Sequence, residues 1–345
     1  MSNITITDVC NLSCPYCFNS FVTNTNPNHI TTNQFEKIVD FILTGNTNRI
    51  GFIGGEPTLH PELGKLFEIA REKAKEAGKA DMKLLLFTNG ILLDRFYDEI
   101  SKFDVDVLIN VNSPNDIGEK MYEKLQGNLA SLGRLIEHIT LGINFYNPDM
   151  DTRFILDLLK QYRMKELRLG LPAPTTKEEK EAGMVENMLK IKPAMLNFIH
   201  DLNEIGVHPH FDCQAFPKCV LLEDEIEFLK EVNIDLVRDS CCTPVIDFTQ
   251  DGSAIRCFGL SADMPKVNIK DFASYSDLDR YFFTSIDVLA NCIPATDRCS
   301  NCYLRKVGRC SAGCLSYKAD AIKSLKKVLN RAYDVQFDVT GEDCD

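Results

Sequence analysis

Up to about Asp212, short runs rich in β-forming residues alternate with segments whose apolar residues have the spacing of a helix. Short β-rich runs predict seven strands, at residues 4–7, 49–53, 83–88, 105–111, 139–145, 166–171 and 207–211. Between these runs, apolar residues stand at i, i+3, i+4 and i+7, which is the spacing of one helix face. Three sets follow this spacing fully or in part: Phe35, Ile38, Val39 and Ile42; Leu63, Leu66, Phe67 and Ala70; and Phe154, Ile155, Leu158 and Leu159.

Strands that alternate with helices imply βαβ units and a parallel sheet with right-handed crossovers. Six such units are too few for a closed eight-unit barrel, so we predict an α/β fold built on a partial (β/α)6 barrel of the TIM type. In such a sheet the chemistry collects at the carboxyl ends of the strands. The periodicity ends near Asp212, and 11 of the 14 cysteines lie beyond it. We therefore predict a core domain over residues 1–212 and a cysteine-rich domain over residues 213–345.

The composition is that of a globular protein, with 345 residues, 44% hydrophobic and 26% charged. No apolar run approaches the roughly 20 residues that span a bilayer, and the first residues lack the basic and apolar regions of a signal peptide. We therefore expect a cytoplasmic location and no membrane partner. Cytoplasmic thiols stay reduced, so 14 cysteines indicate metal or cluster ligation rather than a disulfide framework.

The charge distribution indicates which classes of binding partner to expect. A net charge of −12 argues against nucleic acid, because phosphate binding needs a basic face. Basic residues concentrate only within residues 305–331. This segment is either a solvated helix face or a docking surface for an acidic peptide or redox partner.

Cys10, Cys14 and Cys17 form a C-x3-C-x2-C motif directly after the first predicted strand. Three cysteines are one too few to close a structural zinc site. They suffice to hold a [4Fe–4S] cluster by three irons and leave the fourth iron open. The motif resembles the signature of the radical S-adenosylmethionine (radical SAM) superfamily. The resemblance implies that S-adenosylmethionine binds the open iron and that an electron from the cluster cleaves it to a 5′-deoxyadenosyl radical.

Gly54-Gly55-Glu56-Pro57 follows the second predicted strand. Two glycines at a strand end allow a close approach of backbone to a ligand, although a Gly-Gly pair alone is also an ordinary loop. In the superfamily a Gly-Gly-Glu motif binds the methionine ammonium of the cofactor, and the match here is residue for residue.

Less specific resemblances to the family lie after the later predicted strands or within them. Thr88, Asn112, Ser113 and Asn144 resemble positions where family members hold the ribose and carboxylate of the cofactor. Each could equally form a turn or cap a helix. Tyr16 fills an aromatic position that usually lies beside the adenine in the family; its alternative role is packing under the loop.

A second set of cysteines, Cys242, Cys257, Cys299, Cys302, Cys310 and Cys314, resembles the SPASM domain of radical SAM enzymes, which carries up to two auxiliary [4Fe–4S] clusters. The first part fits C-x9–15-G-x4-C, whereas seven residues separate Cys302 from Cys310 where five are usual. The final cysteine of the pattern could only be Cys344.

The resemblance implies interleaved ligands for the two auxiliary clusters. Cys242, Cys257 and Cys314 would bind the first cluster with one upstream cysteine, taken from Cys213, Cys219 and Cys241, of which we favour Cys219. Cys299, Cys302, Cys310 and Cys344 would bind the second. Cys292 has no partner in the pattern and is expected to be a free thiol. The competing interpretation is a four-cysteine zinc site of Cys299, Cys302, Cys310 and Cys314.

These resemblances imply a radical SAM oxidoreductase that modifies a peptide or protein side chain by crosslinking, thioether formation, epimerisation or oxidation. A low-potential donor such as ferredoxin or flavodoxin would reduce it. The core motif begins at residue 10, so we expect peptide recognition through a separate leader-binding protein or by the enzyme itself. Asp212, at the end of the last core strand, is a catalytic candidate. A radical dehydrogenase of a sugar or amino-sugar remains an alternative, as does a non-catalytic electron-transfer or metal-storage protein.

Overall fold

A computed structural model describes residues 1–17, 23, 27–171, 173–174, 176–212, 216–261 and 263–333. Within these residues the strands are β1 (Ser2–Thr7), β2 (Arg49–Gly54), β3 (Lys83–Thr88), β4 (Val105–Asn110), β5 (Ile139–Asn144), β6 (Glu166–Gly170), β7 (His208–Phe211), β8 (Ile246–Phe248), β9 (Ser253–Arg256) and β10 (Val267–Asn268). The seven strands predicted from the sequence are confirmed as β1–β7, with ends shifted by up to two residues.

The helices are α1 (Thr32–Leu43), α2 (Leu63–Glu76), α3 (Tyr97–Phe103), α4 (Pro114–Ile117), α5 (Glu119–Ser131), α6 (Arg153–Gln161), α7 (Lys177–Glu204), α8 (Glu223–Val232), α9 (Tyr275–Phe282), α10 (Val288–Cys292), α11 (Tyr303–Lys306) and α12 (Ala319–Tyr333). The three helices predicted from apolar spacing are confirmed as α1, α2 and α6. None of the described helices is long and apolar enough to cross a membrane.

The strands form one sheet in the order β10-β9-β8-β1-β2-β3-β4-β5-β6-β7. Strands β1 to β7 run parallel, each beside the next, as a partial barrel requires. The apolar faces of α1 and α2 lie against this sheet, because the predicted residues of both helices are completely buried. Thr31 begins α1 by accepting a hydrogen bond from the backbone N–H of Gln34 at 3.2 Å.

The cysteine-rich part of the chain extends the same sheet. Strand β8 pairs in parallel with β1, while β9 and β10 add antiparallel strands beyond it. Arg256 at the end of β9 binds Asp287 at 2.5 Å and Asp279 at 2.8 Å, which attaches this edge to α9 and the turn after it. The division near residue 212 stays a prediction, since the sheet continues across it.

Candidate active site and cluster sites

The first three cysteines lie in the loop that leaves the carboxyl end of β1. Cys17 N–H donates to the carbonyl of Cys14 at 3.1 Å, and Leu12 N–H donates to Cys10 Sγ at 3.5 Å. Burial raises the pKa of the Cys10 thiol, and burial with the charges of Cys10 and Cys17 raises that of Cys14 to about 12. Cys10 and Cys14 therefore favour the protonated thiol until a cation compensates the charge of the thiolates, as an iron cluster does.

Gly54 and Gly55 are required by the backbone of this cysteine loop. A Cβ on Gly54 would lie 2.3 Å from the carbonyl oxygen of Thr7, and one on Gly55 would lie 2.4 Å from that of Val9. Gly55 N–H donates to Thr7 O at 2.8 Å and Glu56 N–H to Val9 O at 2.7 Å. The two glycines therefore let the end of β2 bind the start of the cysteine loop directly.

Glu56 is 1% exposed and its carboxylate is held from several sides. One oxygen accepts from Thr58 N at 3.1 Å, Thr58 Oγ1 at 2.6 Å and Thr88 Oγ1 at 2.6 Å. The other accepts from Asn89 N at 2.8 Å. Burial raises the pKa of Glu56, while these hydrogen bonds act in the opposite direction. Pro57 begins the short 3-10 helix Pro57–Leu59, which holds Thr58 in position.

Tyr16 connects the cysteine loop to the ends of β4 and β5. Its hydroxyl donates to Asn112 Oδ1 at 2.6 Å, and its ring lies 5.2 Å from that of Tyr146. Burial raises the pKa of Tyr16. Ser113 begins α4 by accepting from Asn115 N–H at 3.2 Å, which is the capping role that the sequence left open. Asn112 and Tyr16 are thus brought together, as a shared ligand site would require.

Arg168 is a polar residue of the barrel interior that the sequence analysis missed. Its guanidinium donates to Asn110 Oδ1 at 3.2 Å and Asn144 Oδ1 at 3.0 Å, and it forms an ion pair with Asp212. Gly170 leaves room for this group, because a Cβ there would lie 2.1 Å from Asn144 Oδ1. The sequence did carry a signal for this residue. Arg168 stands between Leu167 and Leu169 in a predicted strand, Gly170 follows in that strand, and Gly142 pairs with Arg168 from β5.

A cavity of about 530 Å³ opens beside Tyr16. Its walls come from the cysteine loop, from the segments after β5 and β6, from α7, and from Tyr317 of the cysteine-rich part. The surface is mainly apolar and aromatic, with contributions from Tyr16, Phe145, Tyr146, Met188, Ile191 and Tyr317. Glu179, Asn187 and Lys190 add polar groups. The cavity is large enough for a side chain or a small organic molecule next to the cysteine loop.

Cys242, Cys257 and Cys314 form one group in the cysteine-rich part. The thiols of Cys242 and Cys314 interact directly, which lowers the pKa of Cys314 and raises that of Cys242. The charge of Cys257 also raises the pKa of Cys242. Cys314 N–H donates to Met184 Sδ at 3.2 Å, so α7 lies directly against this group. A kink at Gly183, with φ 79°, precedes Met184.

Cys219 lies with Cys299, Cys302 and Cys310. Burial raises the pKa of Cys219, and the charges of these three thiols raise it further. This placement differs from the expectation that Cys219 joins Cys242, because residue spacing alone does not report which loops meet. Cys241 turns its thiol to the carbonyl of Gly308 at 3.3 Å, and Cys292 is exposed. Cys213 and Cys344 lie outside the described residues.

Among the described residues, no three cysteines have all their sulfur atoms within 4.8 Å of one another. A tetrahedral zinc with Zn–S bonds of about 2.3 Å would place them about 3.8 Å apart. Cys314 also lies with Cys242 rather than with Cys299. A zinc site of Cys299, Cys302, Cys310 and Cys314 is therefore not preformed among the described residues.

Residues 4–144 match the model of the radical SAM superfamily. The S-adenosylmethionine-dependent nucleotide dehydratase of Selenomonas ruminantium is 28% identical over 190 residues, which is 49% of this chain and 65% of that protein. The GTP 3′,8-cyclase of Chlorobaculum tepidum is 31% identical over 103 residues, or 30% of this chain and 29% of that protein. The chain therefore spans less than two thirds of these curated relatives.

Two solved structures show the same fold. SuiB of Streptococcus suis bound to S-adenosylmethionine has a TM-score of 0.60 at 14% identity, covering 91% of this chain and 72% of that one. Native anSMEcpe with bound AdoMet has a TM-score of 0.61 at 16% identity, covering 97% and 99%. The predicted partial barrel is thereby confirmed.

Proposed function

We infer from the radical SAM domain at residues 4–144 that this chain is an enzyme that uses S-adenosylmethionine and a [4Fe–4S] cluster to modify a peptide or protein side chain. When bound, these cofactors supply one electron that breaks a carbon–sulfur bond, giving methionine and a 5′-deoxyadenosyl radical that takes a hydrogen atom from the substrate. The oxidoreductase class and the peptide substrate are the parts that we propose.

The cysteine loop is the proposed site of the first cluster. Cys10, Cys14 and Cys17 would hold three irons, and three partly buried cysteines in one loop fit that role. Three sets of contacts fix the loop to neighbouring strands. The backbone N–H groups of Gly55 and Glu56 bind Thr7 and Val9. Asn89 binds Asn11, and Tyr16 binds Asn112. These contacts would orient the open iron toward the carboxyl ends of the strands.

Polar groups at those ends are the proposed cofactor contacts. Glu56 uses its carboxylate to hold Thr58, Thr88 and Asn89. We propose that it orders the backbone of Gly54 and Gly55 for the methionine ammonium. Asn112 and Asn144, at the ends of β4 and β5, would contact the ribose and carboxylate.

The observation that carries the peptide assignment is the apolar cavity beside Tyr16. Its walls would exclude water from a substrate radical and admit a side chain near the cofactor. SuiB has been solved bound to the precursor peptide SuiA, with a TM-score of 0.59, and anSMEcpe bound to the peptide Kp18Cys, with a TM-score of 0.61. These neighbours support a peptide substrate.

The cysteines beyond residue 212, apart from Cys292, include the proposed ligands of two auxiliary [4Fe–4S] clusters in a SPASM-type domain. They would pass an electron or bind substrate. A low-potential ferredoxin or flavodoxin is the proposed external donor, and a separate leader-binding protein is the proposed recognition partner.

A small-molecule substrate is the second candidate. It is favoured by the names of the sequence relatives, which act on nucleotides, and by Arg168, whose guanidinium lies in the barrel interior and would suit an anionic substrate. A sugar or amino-sugar substrate would use the same parts.

Anaerobic reconstitution tests the proposal. We expect about 12 irons per chain, corresponding to three clusters, and 5′-deoxyadenosine formation after reduction. Peptides encoded beside the gene should stimulate this formation and change in mass, whereas nucleotides and sugars should not. A Cys14→Ala chain is the control that should form no 5′-deoxyadenosine. Stimulation by a nucleotide or sugar instead of a peptide would establish the second candidate.

A further inference from the structure

The neighbours of Cys219 and Cys310 in the chain bind one carboxylate, that of Asp239. Lys218, directly before Cys219, lies 3.8 Å from Asp239 Oδ1. Arg309, directly before Cys310, binds the same oxygen atom at 2.9 Å. One aspartate thus draws together the two chain segments that carry these cysteines. Half-exposed ion pairs contribute little to stability, but they fix the relative position of two loops when backbone contacts accompany them.

Backbone contacts of Ser240 accompany this ion-pair bridge. Ser240 forms a parallel β-bridge with Cys310, and its carbonyl accepts from Ser311 N–H at 3.1 Å. Its hydroxyl donates to the carbonyl of Phe216 at 3.1 Å, three residues before Cys219. Ser240 therefore contacts both segments, independently of the neighbouring Asp239.

The remaining two cysteines of this group lie in one turn. Cys302 N–H donates to the carbonyl of Cys299 at 3.3 Å. Cys310 follows on the same short segment, since Val307 N–H donates to the carbonyl of Tyr303 at 3.0 Å and Arg309 N–H donates to that of Leu304 at 2.8 Å.

We propose that Cys219 is the fourth ligand of the second auxiliary cluster, together with Cys299, Cys302 and Cys310. This site then takes all its ligands from residues 219–310 and does not use Cys344. The assignment departs from the interleaved order that the SPASM spacing implies. It rests on the auxiliary clusters of the proposed function and is independent of the substrate.

Two full-length backgrounds isolate one auxiliary site each. The first replaces Cys10, Cys14, Cys17, Cys242, Cys257 and Cys314 by alanine and keeps the second site. The other replaces Cys10, Cys14, Cys17, Cys299, Cys302 and Cys310 and keeps the first site. Iron content, and the EPR spectrum after reduction by dithionite, are measured in each background with and without Cys219→Ala and Cys344→Ala.

We expect about four irons in the background that keeps the second site. Cys219→Ala should remove this iron or change its EPR spectrum, and Cys344→Ala should leave both unchanged. In the background that keeps the first site, Cys219→Ala should have no effect. Two results would overturn the assignment. One is loss of iron through Cys344→Ala in the background that keeps the second site, and the other is loss of iron through Cys219→Ala in the background that keeps the first.

Single substitutions in the wild-type chain test the same point if the multiple variants do not fold. Cys219→Ala should lose the EPR signal that Cys299→Ala loses and keep the one that Cys242→Ala loses. The opposite pairing contradicts the proposal. A wild-type chain that holds only about four irons would refute the auxiliary clusters themselves, whatever the variants do.

Discussion

The side-chain amide of Asn89 donates a hydrogen bond to the side-chain oxygen of Asn11 at 2.8 Å. Asn11 follows Cys10 in the first cysteine loop, and Asn89 follows β3. The backbone N–H of Asn89 is itself held by Glu56 at 2.8 Å. The carboxylate after the glycine pair therefore positions the cysteine loop through a neighbouring strand.

Asn89→Asp should impair the cysteine loop. The new carboxylate cannot donate to Asn11 and lies close to the carboxylate of Glu56, so about 1–3 kcal/mol of loop stabilisation is lost. We expect a decrease of tenfold or more in the rate of 5′-deoxyadenosine formation. Asn147→Asp is the matched control, because the Asn147 side chain accepts from Asp149 N–H at 2.9 Å, which an aspartate also does. Equal rates in the two variants would contradict the positioning role.

Gly55→Ala should destabilise the protein and reduce iron binding by the first three cysteines. The added Cβ would lie 2.4 Å from Val9 O, so the loop must shift, at a cost of about 1–3 kcal/mol. Gly127→Ala is the control, since nothing lies within 4 Å of its Cβ position inside α5. That change should stabilise the chain by about 0.5–1 kcal/mol. Denaturant unfolding and iron analysis measure both effects.

Asp247 should make stability depend on pH. Burial raises its pKa from 3.8 to about 7, and Asn3 donates to it at 2.7 Å. The folded chain favours the protonated form, so this stabilisation is complete below about pH 4 and lost as the pH rises through about 7. Relative to Asp247→Asn, the cluster-free wild type should lose about 2–3 kcal/mol of unfolding free energy between pH 5 and 8. Parallel pH profiles of the two proteins would refute this.

Asp212 remains a catalytic candidate, with its carboxylate paired to Arg168 and its side chain 43% exposed. If Asp212 transfers a proton during turnover, Asp212→Asn should lower product formation tenfold or more. Cleavage of S-adenosylmethionine without substrate should continue at the wild-type rate. Unchanged product formation would remove Asp212 from the reaction. Asp320→Asn, which removes an exposed ion pair with Lys323 on α12, serves as the control.

Lys318 should be required for retention of the auxiliary iron. The residue is 4% exposed, and its ammonium donates to Ala290 O at 2.9 Å and Ser311 O at 2.6 Å. Lys318→Met leaves two carbonyls without their donor, at roughly 1–3 kcal/mol each. We expect faster iron loss to a chelator than from Lys323→Met, which removes an ammonium from the surface of α12. Identical loss from both variants would exclude the role.

Much of the core was predictable because apolar periodicity is a local property. Strands β1 to β7 and the faces of α1 and α2 follow directly from it. The pairing of β8 with β1 was not predictable, since β8 has three residues, one of them the buried Asp247. Its partner lies more than 200 residues away, and no local pattern records such a contact.

The candidate site was predictable where chemistry requires a fixed spacing, as in the three cysteines and Gly54-Gly55-Glu56. The physical reason why glycine is needed at these two positions was not predictable, because it is the close approach of the backbone of Thr7 and Val9. Arg168 was missed because its partners Asn110, Asn144 and Asp212 come from three other parts of the barrel. The group that Cys219 joins depends on loop packing, which spacing does not contain.

Helix α7 limits how this protein can be re-engineered. Met188 and Ile191 line the cavity, and Met184 on the same helix binds the backbone of Cys314. A substitution that moves the helix to enlarge the cavity will also disturb the cysteine group behind it. Phe145 on the cavity wall also packs on Phe198 of α7, with 6.0 Å between the ring centroids, so variant libraries for a new substrate range should be screened for cavity shape and iron content together.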